Sequence, residues 1–203
     1  MKKCSVEGCN GKHKAKGYCF KHYMQVRTYG EIKERTRYDS NEIVLYDDYA
    51  EVILYDKNCE EVARALIDLE DIDKVKSYKW CLSHGYAFNK KNNITLHRFI
   101  MDCPEDMVVD HINHNTLDNR KCNLRICTQQ QNCMNRKFMS NNTSGCIGVS
   151  WDKSKNKWTS QIMLNNKYIH LGCYDTKEEA IEARKQAEID LFGEYRNNDE
   201  DVS

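Results

Sequence analysis

Apolar and polar positions alternate with a period of two through several short runs of this chain, and only two stretches carry clear helix punctuation. EIVLYDDYAEVILYD (42–56) alternates on both sides of Asp47-Asp48 and predicts two strands. GYAFNKKNNITLH (85–97) predicts a hairpin turning at Asn92-Asn93, and LEDIDKVKSYKW (69–80) predicts a short helix leading into a strand. Val108-Val109 and Leu124–Ile126 have the composition of two further short strands, with an Asn-rich loop between them. CIGVSW, KWTSQIML and KYIHLG alternate again, separated by turns at 153–156 and at Asn165-Asn166, and predict a three-stranded antiparallel sheet. Helix starts are marked by Thr128 with Gln131 and by Thr176 with Glu179, each spaced as a capping box. After the second, Ala180, Ala183, Ala187 and Leu191 share one helical face and Gly193 ends it.

Short strands with few helices make the chain α+β. At 203 residues, 40% apolar and 31% charged, it is globular and divides into several small units rather than one large core. It has no apolar run of membrane length and no secretory leader, so a cytoplasmic protein with no membrane partner is expected. Eleven cysteines, an odd number, point to metal ligands and buried thiols rather than to disulfides. The zero net charge conceals a partition: residues 1–37 carry ten Lys/Arg against three Asp/Glu, residues 38–75 three against twelve, and residues 76–137 ten against five. Local patches, not the total, set the field a partner meets.

The candidate chemistry lies in 108–136, VVDHINHNTLDNRKCNLRICTQQQNCMNR. A helix begun at Thr128 and packed on the Val108/Leu124 hairpin brings Asn132, one turn inside it, to Asp110. A carboxylate and a neutral amide oxygen suit a hard divalent cation such as Mg²⁺ better than zinc. His111, with an ordinary pKa near ~6.5, is suited to take a proton from water at neutral pH, and Asn123 is a candidate to hold the other ring nitrogen.

These residues resemble the HNH endonucleases with a ββα-metal site, in particular the phage intron-encoded homing and nicking enzymes, over roughly 94–137. The resemblance implies Asp110 and Asn132 as ligands to Mg²⁺ (or Mn²⁺), His111 as general base, Asn123 as its orienter and Asn119, in LDNR, as a loop-shaping residue. LHRFIMDCP resembles the family's His-Arg helix, which implies His97 and Arg98 as phosphate contacts. The acidic, β-rich lead-in has the part of a scaffold.

At the front, Cys4, Cys9, Cys19 and His22 follow a C-x4-C-x9-C-x2-H spacing suited to a closed tetrahedral site for structural Zn²⁺. So small a segment has almost no apolar core, and metal binding would supply its folding free energy. It resembles the zinc knuckles at the front of some phage HNH proteins, and Lys12, Lys14 and Lys16 form a candidate phosphate-contacting surface. The region after the nuclease motif resembles the AP2 DNA-binding domain in its GV-W opening, KW strand, LG-YDT turn and EEA-A helix. That implies a sheet face laid in the DNA major groove, with Trp151, Lys153, Lys155, Lys157, Trp158, Gln161, Lys167, Tyr168 and His170 as contacts. Where the plant-type domain offers Arg to guanine, this sheet offers Lys, Ser and Gln, which weakens bidentate base readout.

The expected organisation is therefore a zinc knuckle over 1–37, a β-rich scaffold over 38–93, an HNH nuclease over 94–137, a linker over 138–144, an AP2-like domain over 145–196 and an acidic tail over 197–203. The resemblance implies a phage-encoded, site-directed endonuclease of the homing type acting on double-stranded DNA in a bacterial host; the sequence leaves the oligomeric state open, with a monomer favoured. The alternative is a non-cleaving DNA-binding regulator that uses the AP2-like sheet alone.

Overall fold

The computed structural model describes residues 2–37, 39–136, 142 and 144–197. The expected linker and acidic tail lie largely outside the described residues. Among those residues every sheet is antiparallel and none exceeds three strands, so the chain is mixed α and β built from small sheets. Among the described residues no helix is long and apolar enough to cross a membrane.

The first unit is a two-stranded ribbon, β1 (His13–Ala15) and β2 (Tyr18–Cys19), turning on Lys16 and Gly17 in left-handed conformations. Helix α1 (Phe20–Tyr29) follows directly and stops at Gly30, whose φ of 77° is the left-handed C-cap that glycine accepts without strain.

The largest core lies under two three-stranded sheets. β3 (Ile43–Leu45), β4 (Ala50–Tyr55) and β5 (Glu61–Ile67) form one; β6 (Cys81–Ser83), β7 (Tyr86–Asn89) and β8 (Ile94–Thr95) form the other. Both expected hairpins are present, the first across Asp47-Asp48 and the second with Asn93 left-handed in its turn. β5 was not expected, because in EVARALI the buried positions are Ala65 and Ile67 and small alanines mute the alternation. The four-residue helix α2 (Ile72–Val75) and α3 (Leu96–Ile100) close the layer, which buries Val52, Leu54, Ile67, Trp80 and Leu96 almost completely. Each such side chain stabilises the fold by about 1.5–3 kcal/mol relative to exposure. Trp80 also donates its indole N–H to the Val75 carbonyl at 3.0 Å, so its one polar group is satisfied inside the core.

β9 (Val108–His111) and β10 (Leu124–Cys127) pair antiparallel, and α4 (Gln129–Met134) follows with both halves of the Thr128/Gln131 capping box formed. The long loop between the two strands is tied to the scaffold. Leu66 N–H donates to the Leu117 carbonyl at 2.8 Å and Asn119 N–H to the Leu66 carbonyl at 2.9 Å, so the loop runs along β5 as a short parallel bridge.

The last unit is the sheet β11 (Val149–Asp152), β12 (Lys157–Leu164) and β13 (Lys167–Tyr174), with α5 (Lys177–Phe192) across it. The Thr176/Glu179 capping box is formed and the β12–β13 turn places Asn165 and Asn166 at positive φ. Ala180 and Ala187 face the sheet, but Leu191 is exposed and Phe192 is buried in its place. At Gly148, φ 78°, an added Cβ would stand 2.1 Å from the Gln161 carbonyl oxygen, so only glycine fits where β11 meets β12. Met134, at the end of α4, packs with Ile162, Ala187 and Phe192, joining the β9–β10–α4 region to this unit.

Candidate active site

The β9–β10 register sets Arg125 directly opposite Asp110 and Leu124 opposite His111. Asp110 and His111 are both buried, and with Asn132, Asn135, Tyr86 and His114 they line one pocket of about 430 Å³. The structure thus brings Asp110, His111 and Asn132 to one cavity. The Asn132 side chain makes no hydrogen bond among the described residues; the amide that meets Asp110 is that of Asn135, one turn further along. Asn135 Nδ2 donates to both carboxylate oxygens, at 3.1 and 3.0 Å, and to the His111 carbonyl at 3.2 Å. Its Oδ1 is buried without a hydrogen-bond partner.

Asp110 also accepts from a cation. Arg125 Nε and Nη2 both reach Asp110 Oδ2, at 2.9 and 2.6 Å, while Nη1 donates to the Glu194 carbonyl. The guanidinium lies over the Tyr195 ring, 4.9 Å from its centroid.

The imidazole of His111 is walled by aromatic rings. His97 stands edge-on to it at 4.8 Å, Tyr86 lies tilted to it at 6.0 Å, and Tyr86 meets His97 edge-on at 5.3 Å. Burial depresses the His111 pKa, opposed by the Asn119 amide and by the charges of Asp110 and Asp118. Burial, aided by the neighbouring His111 and Arg98, drives His97 down to about 3.

The two loop asparagines sit the other way round from the expected roles. Asn123 donates through Nδ2 to the Asp118 carbonyl at 2.9 Å and accepts the Asn113 N–H at 3.0 Å, so both ends of its amide brace the loop. Asn119 is 1% exposed, donates to the Leu117 carbonyl, and has its amide beside the His111 ring, without a hydrogen bond of regular geometry. His97 and Arg98 are also placed otherwise than as phosphate contacts. His97 is buried with Nε2 at 3.0 Å from Thr95 Oγ1, and Arg98 donates to the Met107 and Pro104 carbonyls at 2.6 and 2.8 Å, clamping the turn before β9.

At the other end of the chain, the ligand atoms of Cys4, Cys9, Cys19 and His22 all lie within 4.8 Å of one another. Cys4 Sγ is 3.2 Å from His22 Nδ1. Although burial raises it, hydrogen bonds from His22 and from backbone bring the Cys4 thiol down to about 6, favouring the thiolate that a metal takes. Gly11 donates its N–H to Cys9 Sγ at 3.4 Å, and a Cβ there would stand 2.7 Å from the Cys19 Cβ. Three thiols and an imidazole around so tight a cradle fit a tetrahedral ion.

A family model described as HNH endonuclease matches residues 102–134. Over 139 residues the chain is 33% identical to an HNH endonuclease of Acanthamoeba polyphaga mimivirus, an alignment covering 64% of this chain and 72% of that protein. This chain belongs to the HNH endonuclease family. The HNH endonuclease is also 34% identical over 75 residues to Protein 3.8 of Escherichia phage T7, covering 37% of this chain and 62% of that one. No solved structure matches it. Nucleases of this family act on DNA and generally use a divalent metal.

Three residues around Asp110 and His111 were not anticipated: Asn135, Arg125 and Tyr86. The first two had a signal in the sequence. Asn132 and Asn135 are three apart on one short helix, hence on one face, and pairing β9 with β10 through the Leu124–His111 register names Arg125 as the neighbour of Asp110.

On the last sheet, Trp158 packs against Cys146, Val149 and Ala180 on the α5 side, with Trp151 edge-on to it at 5.4 Å. Trp158 is therefore core, not contact. Gln161, Tyr168 and His170 are exposed, Tyr168 at 71%. Lys153, Lys155 and Lys167 are exposed near the strand ends, Lys155 beside Asp152 at 3.7 Å, and Lys157 pairs with Asp175 at 3.1 Å. Lys12, Lys14 and Lys16 are exposed on the N-terminal ribbon.

Proposed function

We propose that this HNH endonuclease is a homing-type, site-directed enzyme that hydrolyses one phosphodiester of double-stranded DNA at a ββα-metal centre made by β9, β10 and α4. The observation that carries the reading is the single pocket in which a buried carboxylate, two amide side chains and a walled-in imidazole converge. Asp110 with the amide oxygens of Asn132 and Asn135 is a hard-oxygen donor set, and the orphaned Asn135 Oδ1 fits a ligand role there. When bound, Mg²⁺ or Mn²⁺ supplies charge stabilisation to the phosphoryl oxygens and the leaving 3′ oxygen.

His111 is the general base. Its depressed proton affinity keeps it neutral at pH 7, so the ring is free to take a proton from water, while the Asn119 amide favours the imidazolium that results. His97, edge-on, and Tyr86, tilted, wall the ring and exclude water from its other side. Asn123 acts one step away by fixing the loop that carries Asn119.

Around this centre, zinc at Cys4, Cys9, Cys19 and His22 orders the lysine-bearing ribbon, and the exposed face of β12 and β13 serves as an AP2-like DNA contact through Gln161, Tyr168 and His170. A monomer encoded by a phage and working in the bacterial cytoplasm fits the likeness to a phage T7 protein. The test is nicking of supercoiled plasmid with Mg²⁺ or Mn²⁺, run beside His111→Ala. The variant should lose about 10²–10⁴-fold in rate with DNA retention on a gel unchanged. Nicking at the wild-type rate would remove His111 from the role of base.

A further inference from the structure

Asp110 meets a half-buried cation that belongs to neither the metal nor the substrate. Arg125 is about as sequestered as its partner, with side-chain exposures of 14% and 7%, and two of its three donor nitrogens converge on one carboxylate oxygen. The third donates to the carbonyl of Glu194, and the guanidinium face rests on Tyr195. Both of those residues belong to the turn that follows α5, so the charge partner of Asp110 is anchored in the last unit of the chain. A second contact crosses at the same place, His114 Nε2 to Asn197 Oδ1 at 3.3 Å.

Resting on the reading of Asp110 as a metal ligand, we propose that Arg125 is the resident counter-cation of that carboxylate. It competes with the divalent ion for Asp110, and the turn at Glu194–Tyr195 sets how firmly it competes. A buried carboxylate left without a cationic partner is strongly unfavourable. In the metal-free protein Arg125 supplies that partner, and the incoming ion must share or take over the oxygen it holds. The carbonyl of Glu194 and the ring of Tyr195 give the guanidinium somewhere to remain paired when it yields. The C-terminal turn is thereby a determinant of metal affinity although it contributes no ligand.

The experiment is Mn²⁺ binding to the zinc-loaded full chain, followed by electron paramagnetic resonance and calorimetry, with melting of the metal-free protein as a second readout. Arg125→Gln removes a unit charge from beside the ligand and should tighten Mn²⁺ binding by about tenfold. It should also lower the metal-free melting temperature and enlarge the rise that Mn²⁺ produces. Unchanged or weaker binding overturns the proposal. Tyr195→Leu should shift Mn²⁺ affinity in the wild-type background and not in Arg125→Gln; an equal shift in both backgrounds, or none in either, overturns the coupling to the turn. Asp110→Asn separates the two levels. If it leaves Mn²⁺ binding intact the metal-site reading has failed, whereas loss of binding there with no response to Arg125→Gln refutes the counter-cation alone.

Discussion

His97→Phe should make the protein less sensitive to acid. In the native state His97 is buried, edge-on to His111, and holds its proton only below about pH 3, while an unfolded histidine titrates near ~6.5. Between those values the unfolded chain carries a proton the native chain does not, so native stability is greatest above ~6.5 and declines as pH falls toward 3. From pH 7 to pH 4.5 the difference for this one group is on the order of 2–3 kcal/mol. That is a large part of the 5–15 kcal/mol of a typical domain. Phenylalanine keeps a ring edge against His111 and Tyr86, loses the contact with Thr95 Oγ1, and cannot titrate. Urea denaturation followed by tryptophan fluorescence at the two pH values, in wild type and variant, reads the difference, because Trp80 lies in the core that α3 covers. The Cys/His cluster and His111 are present in both proteins and cancel in the comparison. The stability gap between pH 7 and pH 4.5 should shrink by on the order of 2–3 kcal/mol in the variant; an identical gap would show that His97 is protonated in the native state and that the reasoning from burial fails.

Two further outcomes test other parts of the chain. Cys19→Ser should abolish the tight uptake of one zinc equivalent per chain and unfold the β1–β2 ribbon and α1 while leaving the Trp80 core intact, as mass spectrometry under native conditions and proton NMR would show; a variant that still holds zinc tightly would exclude the four-ligand site. Gly148→Ala sets a Cβ into the Gln161 carbonyl at a positive φ and should cost the last unit about 3 kcal/mol or more, measured by denaturation, and a neutral effect would mean the β11–β12 junction can shift.

Much of the framework was readable because its signals are local. The hairpins at Asp47-Asp48 and Asn92-Asn93, both capping boxes and the turn at Asn165-Asn166 each depend on residues within five positions of one another. β5 escaped because its buried positions are filled in part by alanine, which carries little hydrophobic contrast. The site was legible as a set of residue types but not as an assignment of roles. Asn119 and Asn123 are chemically identical, and what separates them is the bridge of the loop to Leu66, a contact with a strand more than fifty residues earlier. Arg98 and His97 read as phosphate contacts through the likeness of LHRFIMDCP to a family helix, yet the turn at Pro104–Met107 claims the guanidinium and the imidazole is buried against Tyr86 and His111. Trp158 shows the same limit on the last sheet: strand alternation orders its neighbours but does not say which face α5 covers.

Met134, the last residue of the nuclease helix, is seated among Ile162, Ala187 and Phe192. The cutting element and the sheet proposed to read DNA therefore share a piece of interior, and neither can swing on a tether. On the proposed function, the distance from the bases touched by Gln161, Tyr168 and His170 to the scissile bond is fixed by the thickness of the protein. Such an enzyme measures its cut, leaving breaks at a constant offset from its recognition sequence, and DNA with nucleotides inserted between the two would be bound and left whole.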